Sequence, residues 1–168
     1  MEPWTDALAG GDAELDDAHQ LLYELNGATE AAVARGDLRT ARWKLDELFD
    51  VTGAHFAAEE RWMRESAYPA AAPHLADHAD YLGELHKLRK EIAQHGLSPL
   101  FKLWFGSRFT GWLRSHVKGM DLQFQRHLRH WKEAQAAATA AAGAPAPDAP
   151  TPAPPQVASS PGPSGGSS

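Results

Sequence analysis

The sequence predicts an all-α protein: an up-down-up-down antiparallel four-helix bundle, followed by a disordered C-terminal tail. Three observations predict it. Val and Ile are scarce while Ala, Leu, Glu and Arg are plentiful, which favours helix over strand. Glycine and proline punctuate residues 1–135 into four long helical stretches. The connections between those stretches are short, so successive helices are expected to run antiparallel.

The first helix is expected from about Asp12 to Arg35, ending at Gly36. The second runs from about Asp37, a plausible N-cap, to Ser66. The stretch "YPAAAP" breaks the chain, and a third helix follows from about Ala71 to Gln94. The stretch "HGLSP" breaks it again. Ser98 can cap a fourth helix with Pro99 at its first position, running to about Glu133. From Ala136 the chain turns to Ala, Pro, Ser and Gly with almost no large apolar side chain. Such a segment cannot bury enough surface to offset its ordering entropy. The expected organisation is therefore a bundle over residues 1–135 and a disordered tail over 136–168.

The net charge is −6, and Asp148 is the only charged residue of the tail. An acidic domain is poorly suited to nucleic acid or an anionic membrane, so neither is expected as a partner. With no cysteine, disulfides and thiolate metal sites are excluded. The start "MEPWTDALAGGDAELDD" lacks the basic and apolar regions of a signal peptide, and no apolar run is long enough to span a membrane. A soluble, cytoplasmic, monomeric protein is the expectation. The tail is the place where a protein partner would attach.

The inner faces carry the chemistry. On the second helix Leu45, Leu48, Thr52, His55, Glu59 and Trp62 alternate at spacings of three and four, as a bundle core requires. Leu15, His19, Leu22 and Asn26 share a face of the first helix. On the third, His74 and His78 lead into Tyr81 or Leu82, then Leu85, Leu88 and Ile92. On the fourth the stripe is Phe109, Leu113, His116, Met120 and Phe124, with Asp121 five residues after His116. A single histidine on such a face is an ordinary hydrogen-bonded core residue. Five histidines and two carboxylates on the inner faces of four helices are a different matter. Unpaired buried carboxylates are costly, and a metal ion removes the cost.

Imidazole and carboxylate without thiolate suit iron, manganese or zinc. Seven such groups exceed what one tetrahedral zinc needs. They suit two octahedral ions bridged by the two carboxylates, with one position left open. No Glu-x-x-His motif of the carboxylate-rich di-iron bundles is present. The five-residue step from His116 to Asp121 is unusual, because a straight α-helix turns the second side chain about 140° from the first. A local π-bulge could absorb the difference.

These segments together resemble a hemerythrin, most closely a bacterial hemerythrin domain (bacteriohemerythrin). The resemblance covers nearly all of residues 1–135 and rests on "DDAHQLL", "HFAAEERWM", "YPAAAPHLADH" and "WLRSHVKGMD". They fill the pattern H…HxxxE…HxxxH…HxxxxD in order, and Trp4 matches a tryptophan that many members carry before the first helix. The resemblance implies a non-haem di-iron site with an oxo or hydroxo bridge. One iron would take His74, His78 and His116. The other would take His19 and His55 and keep an open position, with Glu59 and Asp121 bridging. It also implies reversible binding of dioxygen as a hydroperoxide on that open iron. Phe56, Trp112, Leu113, Val117 and Phe124 would wall the oxygen pocket. The role implied is oxygen storage, delivery (transport) or sensing rather than catalysis. The alternative is an oxidase, peroxidase or nitric oxide scavenger built on the same centre. His86, His95, His127 and His130 have no motif partner and are expected to be solvated.

Overall fold

The computed structural model describes residues 4–142, and no strand occurs among them. A 3-10 turn at Asp6–Leu8 precedes α1 (Ala13–Ala34), α2 (Leu38–Glu65) and α3 (Ala71–His95). The fourth rod, α4, spans residues 99–142. It is α-helical over Pro99–Trp104, Thr110–His116 and Leu122–Ala142, with π-helical turns at Phe105–Phe109 and Val117–Asp121 between them. The bundle is antiparallel, with α1 on α2, α2 on α3, and α4 against both α3 and α2.

Local chemistry sets the ends of these rods. Asp12 accepts from Leu15 N, Asp37 from Thr40 N and Ser98 from Phe101 N, each satisfying an orphan donor of a first turn. Gly36 follows α1 at φ +73°, a conformation that a Cβ disfavours. α4 continues to Ala142, nine residues beyond the expected Glu133 and seven into the expected tail. Alanine is the strongest helix former, and "QAAATAAA" contains no breaker before Gly143. The side chains of residues 133–142 are all exposed, so this extension buries nothing against the bundle. Residues 143–168, the rest of the expected tail, lie outside the described residues.

Apolar burial is divided into two clusters. The larger holds Leu22, Leu45, Leu48, Phe56, Leu85, Leu88, Phe101, Leu113 and Val117 among others. The smaller holds Leu15, Met63, Phe124 and Leu128. Two stripe positions differ from expectation. Trp62 is half-buried under Arg61 and Lys132, and Met63 takes the core position beside it. Met120, within the second π-turn, is half-buried, while Val117 and Asp121 at its ends face inward.

The N-terminal segment is fastened to the bundle by polar contacts. Gly10 N and Gly11 N both donate to the Asp16 carboxylate, at 2.9 and 2.8 Å. Gln125, fully buried on α4, donates to Asp16 at 3.2 Å. Arg129 donates to Gly10 O at 3.1 Å, and Lys132 pairs with Asp12. This clamp lays Trp4 over His19, ring centroids 5.9 Å apart. No helix among the described residues is long and apolar enough to cross a membrane.

Candidate metal centre

Between the two apolar clusters lies a buried polar layer to which every rod contributes. α1 supplies His19, α2 supplies His55 and Glu59, α3 supplies His74 and His78, and α4 supplies His116 and Asp121. All seven side chains are buried, and Glu59, Asp121 and His19 are completely so. The i, i+4 spacing stacks His55 over Glu59 and His74 over His78 on single helix faces. The step from His116 to Asp121 is taken by the π-turn Val117–Asp121, which adds the fifth residue without turning the carboxylate outward.

The atoms converge in two groups that share both carboxylates. His74, His78 and His116 meet Glu59 and Asp121 on one side; His19 and His55 meet the same two carboxylates on the other. Asp121 Oδ1 lies 3.0 Å from Nε2 of both His74 and His116, and its Oδ2 lies 3.0 Å from His19 Nε2. Glu59 Oε2 lies 3.2 Å from His78 Nε2 and 3.5 Å from His55 Nε2. On the three-histidine side, His116 Nε2 stands 3.1 Å from His74 Nε2 and 3.2 Å from His78 Nε2. Two atoms bound at about 2.1 Å to one ion and at right angles stand about 3.0 Å apart. The spacing of the nitrogens therefore fits coordination to a common ion.

The charges make the same point. Neither oxygen of Glu59 receives a hydrogen bond. Burial, foremost, and then the neighbouring Asp121 and Glu60 push its carboxyl well above the usual range. Asp121 goes the other way: burial opposes ionisation, but hydrogen bonds from His116, His19 and His74 hold it well below the usual range. Burial, with His19 close by, lowers His55 to about 3, so its ring is neutral and its lone pair available. His78 is lowered as well, by burial first and then by His74 and His116. For His116 burial is again the largest influence, but Asp121 and Asp77 outweigh it and raise the ring. Glu59, without a hydrogen bond, therefore faces the lone pairs of the neutral His55 and His78 rings, a poor arrangement for protein groups alone and a good one for cations. The residues present therefore fit a metal centre.

A second layer of carboxylates stands behind part of this set. His116 Nδ1 donates to Asp77 Oδ2 at 2.7 Å, and Trp112 Nε1 donates to the other oxygen at 3.3 Å. His78 Nδ1 donates to Glu60 Oε1 at 3.3 Å. Sequence reasoning left Asp77 out. Its only local signal is its position three residues after His74 and one before His78; its partner His116 is on another helix.

The five residues expected to wall a pocket fall in two places. Phe56 stacks on His78, centroids 3.7 Å apart, and Trp112 stacks on His116 at 4.3 Å. Leu113 and Val117 are buried in the same apolar cluster as Phe56. Phe124 belongs to the other cluster and meets His74 edge-on at 6.2 Å. Of the remaining histidines, His127 is half-buried rather than solvated: its Nε2 lies 3.0 Å from Ser66 O at the end of α2. His95 lies 3.0 Å from Glu91, and His86, His95 and His130 are exposed.

The chain is also similar in sequence to known proteins. The profile of the hemerythrin HHE cation binding domain matches residues 10–128. The chain is 32% identical to a myohemerythrin of Sipunculus nudus over 114 residues, covering 68% of this chain and 82% of that protein. It is 27% identical to a bacteriohemerythrin of Stenotrophomonas maltophilia over 119 residues, covering 70% and 75%. It is 29% identical to a bacteriohemerythrin of Ralstonia nicotianae over 118 residues, covering 70% and 82%.

Proposed function

The chain belongs to the hemerythrin family, and from that premise we propose that it holds two non-haem iron ions and binds dioxygen reversibly. The observation that carries the proposal is the sharing of Asp121: one oxygen serves His74 and His116, the other His19. A single carboxylate presented to two separate histidine sets is what a two-ion centre requires. His74, His78 and His116 would hold one iron, His19 and His55 the other, with Glu59 and Asp121 between them. The iron pair, when bound, supplies the electrons that dioxygen takes up on arrival and gives back on leaving.

The protein's residues have separate tasks. The side with two histidines has one fewer nitrogen donor than the side with three, which leaves room for a small ligand. Phe56, Leu113 and Val117, all buried, exclude water and anions from the neighbourhood of the histidines. Trp112 covers the outer face of His116 and is itself tied to Asp77. Trp4 lies over His19 on the opposite flank. Asp77 holds the Nδ1 proton of His116, which leaves its Nε2 free to coordinate. Such a closed apolar surround supports binding and release over turnover of a larger substrate.

The test is optical. Iron-loaded protein, reduced without air and then exposed to it, is expected to give a visible spectrum that reverses when oxygen is removed. Immediate and irreversible conversion to the ferric form, with consumption of a reductant in continuous turnover, would select an oxidase instead.

A further inference from the structure

The two histidine sets are supported unequally. On the three-histidine side, Nδ1 of His116 and Nδ1 of His78 each donate a hydrogen bond to a carboxylate, Asp77 and Glu60 respectively. On the two-histidine side, Nδ1 of His19 and Nδ1 of His55 are both buried and meet no hydrogen-bond partner; on the three-histidine side only His74 Nδ1 shares that condition. Resting on the two-iron reading, we propose that the centre fills in order. The His74/His78/His116 position takes its ion first, with Asp77 and Glu60 as the positioning residues that set the order.

Tautomer and ring orientation set the order. A neutral imidazole carries one proton, on either nitrogen, and coordinates through the other. A carboxylate behind Nδ1 fixes the proton there, locks the ring angle and makes Nε2 a better donor. His116 has all three benefits, because Asp77 also holds Trp112 and Trp112 stacks on the His116 ring. His78 is clamped between Glu60 and the face of Phe56. Neither His19 nor His55 has such an anchor, and coordination through Nε2 would leave each with a buried, unsatisfied N–H, as it would His74, the one unanchored ring of the other set. The first position also has three nitrogens against two. Asp121 reinforces the bias, since its Oδ1 serves two histidines and its Oδ2 one. The weaker position is the one assigned the free coordination site, so when metal is limiting, ions would leave the oxygen-binding position first. A centre holding one ion is then a defined species rather than a random mixture.

The probe is cobalt(II), titrated into the metal-free full-length chain and followed by its visible d–d absorption. The parent is expected to take up two equivalents in two resolved steps. His55→Ala should abolish the second, weaker step and keep the first. Asp77→Ala should weaken the first step by about 10–100-fold, the usual effect of losing such a partner, with helix content unchanged. Glu60→Ala should act in the same direction and serves if the Asp77 variant fails to fold; restoring a longer carboxylate with Asp77→Glu should recover part of the loss. Loss of the tight step in His55→Ala overturns the order, as does a first step that neither carboxylate variant moves. Two equivalents bound with a single common affinity overturn it too, while leaving the two-ion reading intact. Uptake of one cobalt only would remove the two-ion reading itself.

Discussion

His116 and Asp121, five residues apart on one helix, meet with Nε2 and Oδ1 3.0 Å apart. An uninterrupted α-helix would point them about 140° apart. The π-turn Val117–Asp121 closes that angle and brings both His116 and Asp121 from one helix into the buried polar layer. Asp121→Asn keeps the size of the side chain and removes its charge. The variant is expected to retain its helix content by circular dichroism and to lose most of its bound iron by elemental analysis. Full iron content in this variant would show that the carboxylate charge is not what holds the ions.

Leu113 is 2% exposed in the apolar cluster that contains Phe56 and Val117. Leu113→Ala should cost about 2–5 kcal/mol of stability by thermal or urea unfolding, through lost burial and the remaining cavity. It should also keep its iron, autoxidise faster and take up azide more readily in the ferric form. An oxygenated form as long-lived as that of the parent would place the protecting wall elsewhere.

Gly10 shows how tightly the N-terminal segment is seated. A Cβ at this position would stand 1.8 Å from Gln125 Oε1 and 2.8 Å from Gln125 Cβ. Gln125 is itself fully buried and cannot swing aside freely. Gly10→Ala is expected to lower stability by about 1–3 kcal/mol, as overpacking does. Hydrogen exchange should accelerate across residues 4–12 and leave α2 and α3 unchanged. Parental exchange in that segment would contradict the clamp.

The fold was legible because its signals are local. Asp37 and Ser98 cap helices where the sequence places them, the first helix starts beside the expected Asp12, and the four inner faces carry the seven converging side chains. Even the irregularity at Asp121 was visible as a spacing that a straight helix cannot serve. What the sequence hid is non-local. Asp77 acquires its role from His116, 39 residues away, and Gly10 must be glycine because of Gln125. The π-turn at Phe105–Phe109 has no ligand spacing to betray it. His127 carries no motif, yet it fastens to Ser66 O, 61 residues back. The end of α4 was misplaced because an alanine run far from any core still favours helix on propensity alone.

Acid should act on the metal-free protein through His55. Its folded ring is lowered to about 3, by burial above all, while the unfolded ring titrates at about 6.5. Between those values the unfolded chain binds a proton that the folded chain refuses, so stability falls as pH drops through that window. The contribution is about 1.4 kcal/mol per pH unit for one proton. Urea unfolding of metal-free parent and His55→Gln at several pH values should show the variant losing less stability on acidification. Identical pH dependence would mean that His55 is not buried neutral.

The central claim is that two ions share Glu59 and Asp121. Anomalous diffraction at the iron absorption edge, on crystals of iron-loaded protein, tests it most directly. The prediction is two iron peaks, one beside Nε2 of His74, His78 and His116, the other beside Nε2 of His19 and His55, with both carboxylates between them. A single peak, or two peaks with Asp121 bound to only one, would contradict it.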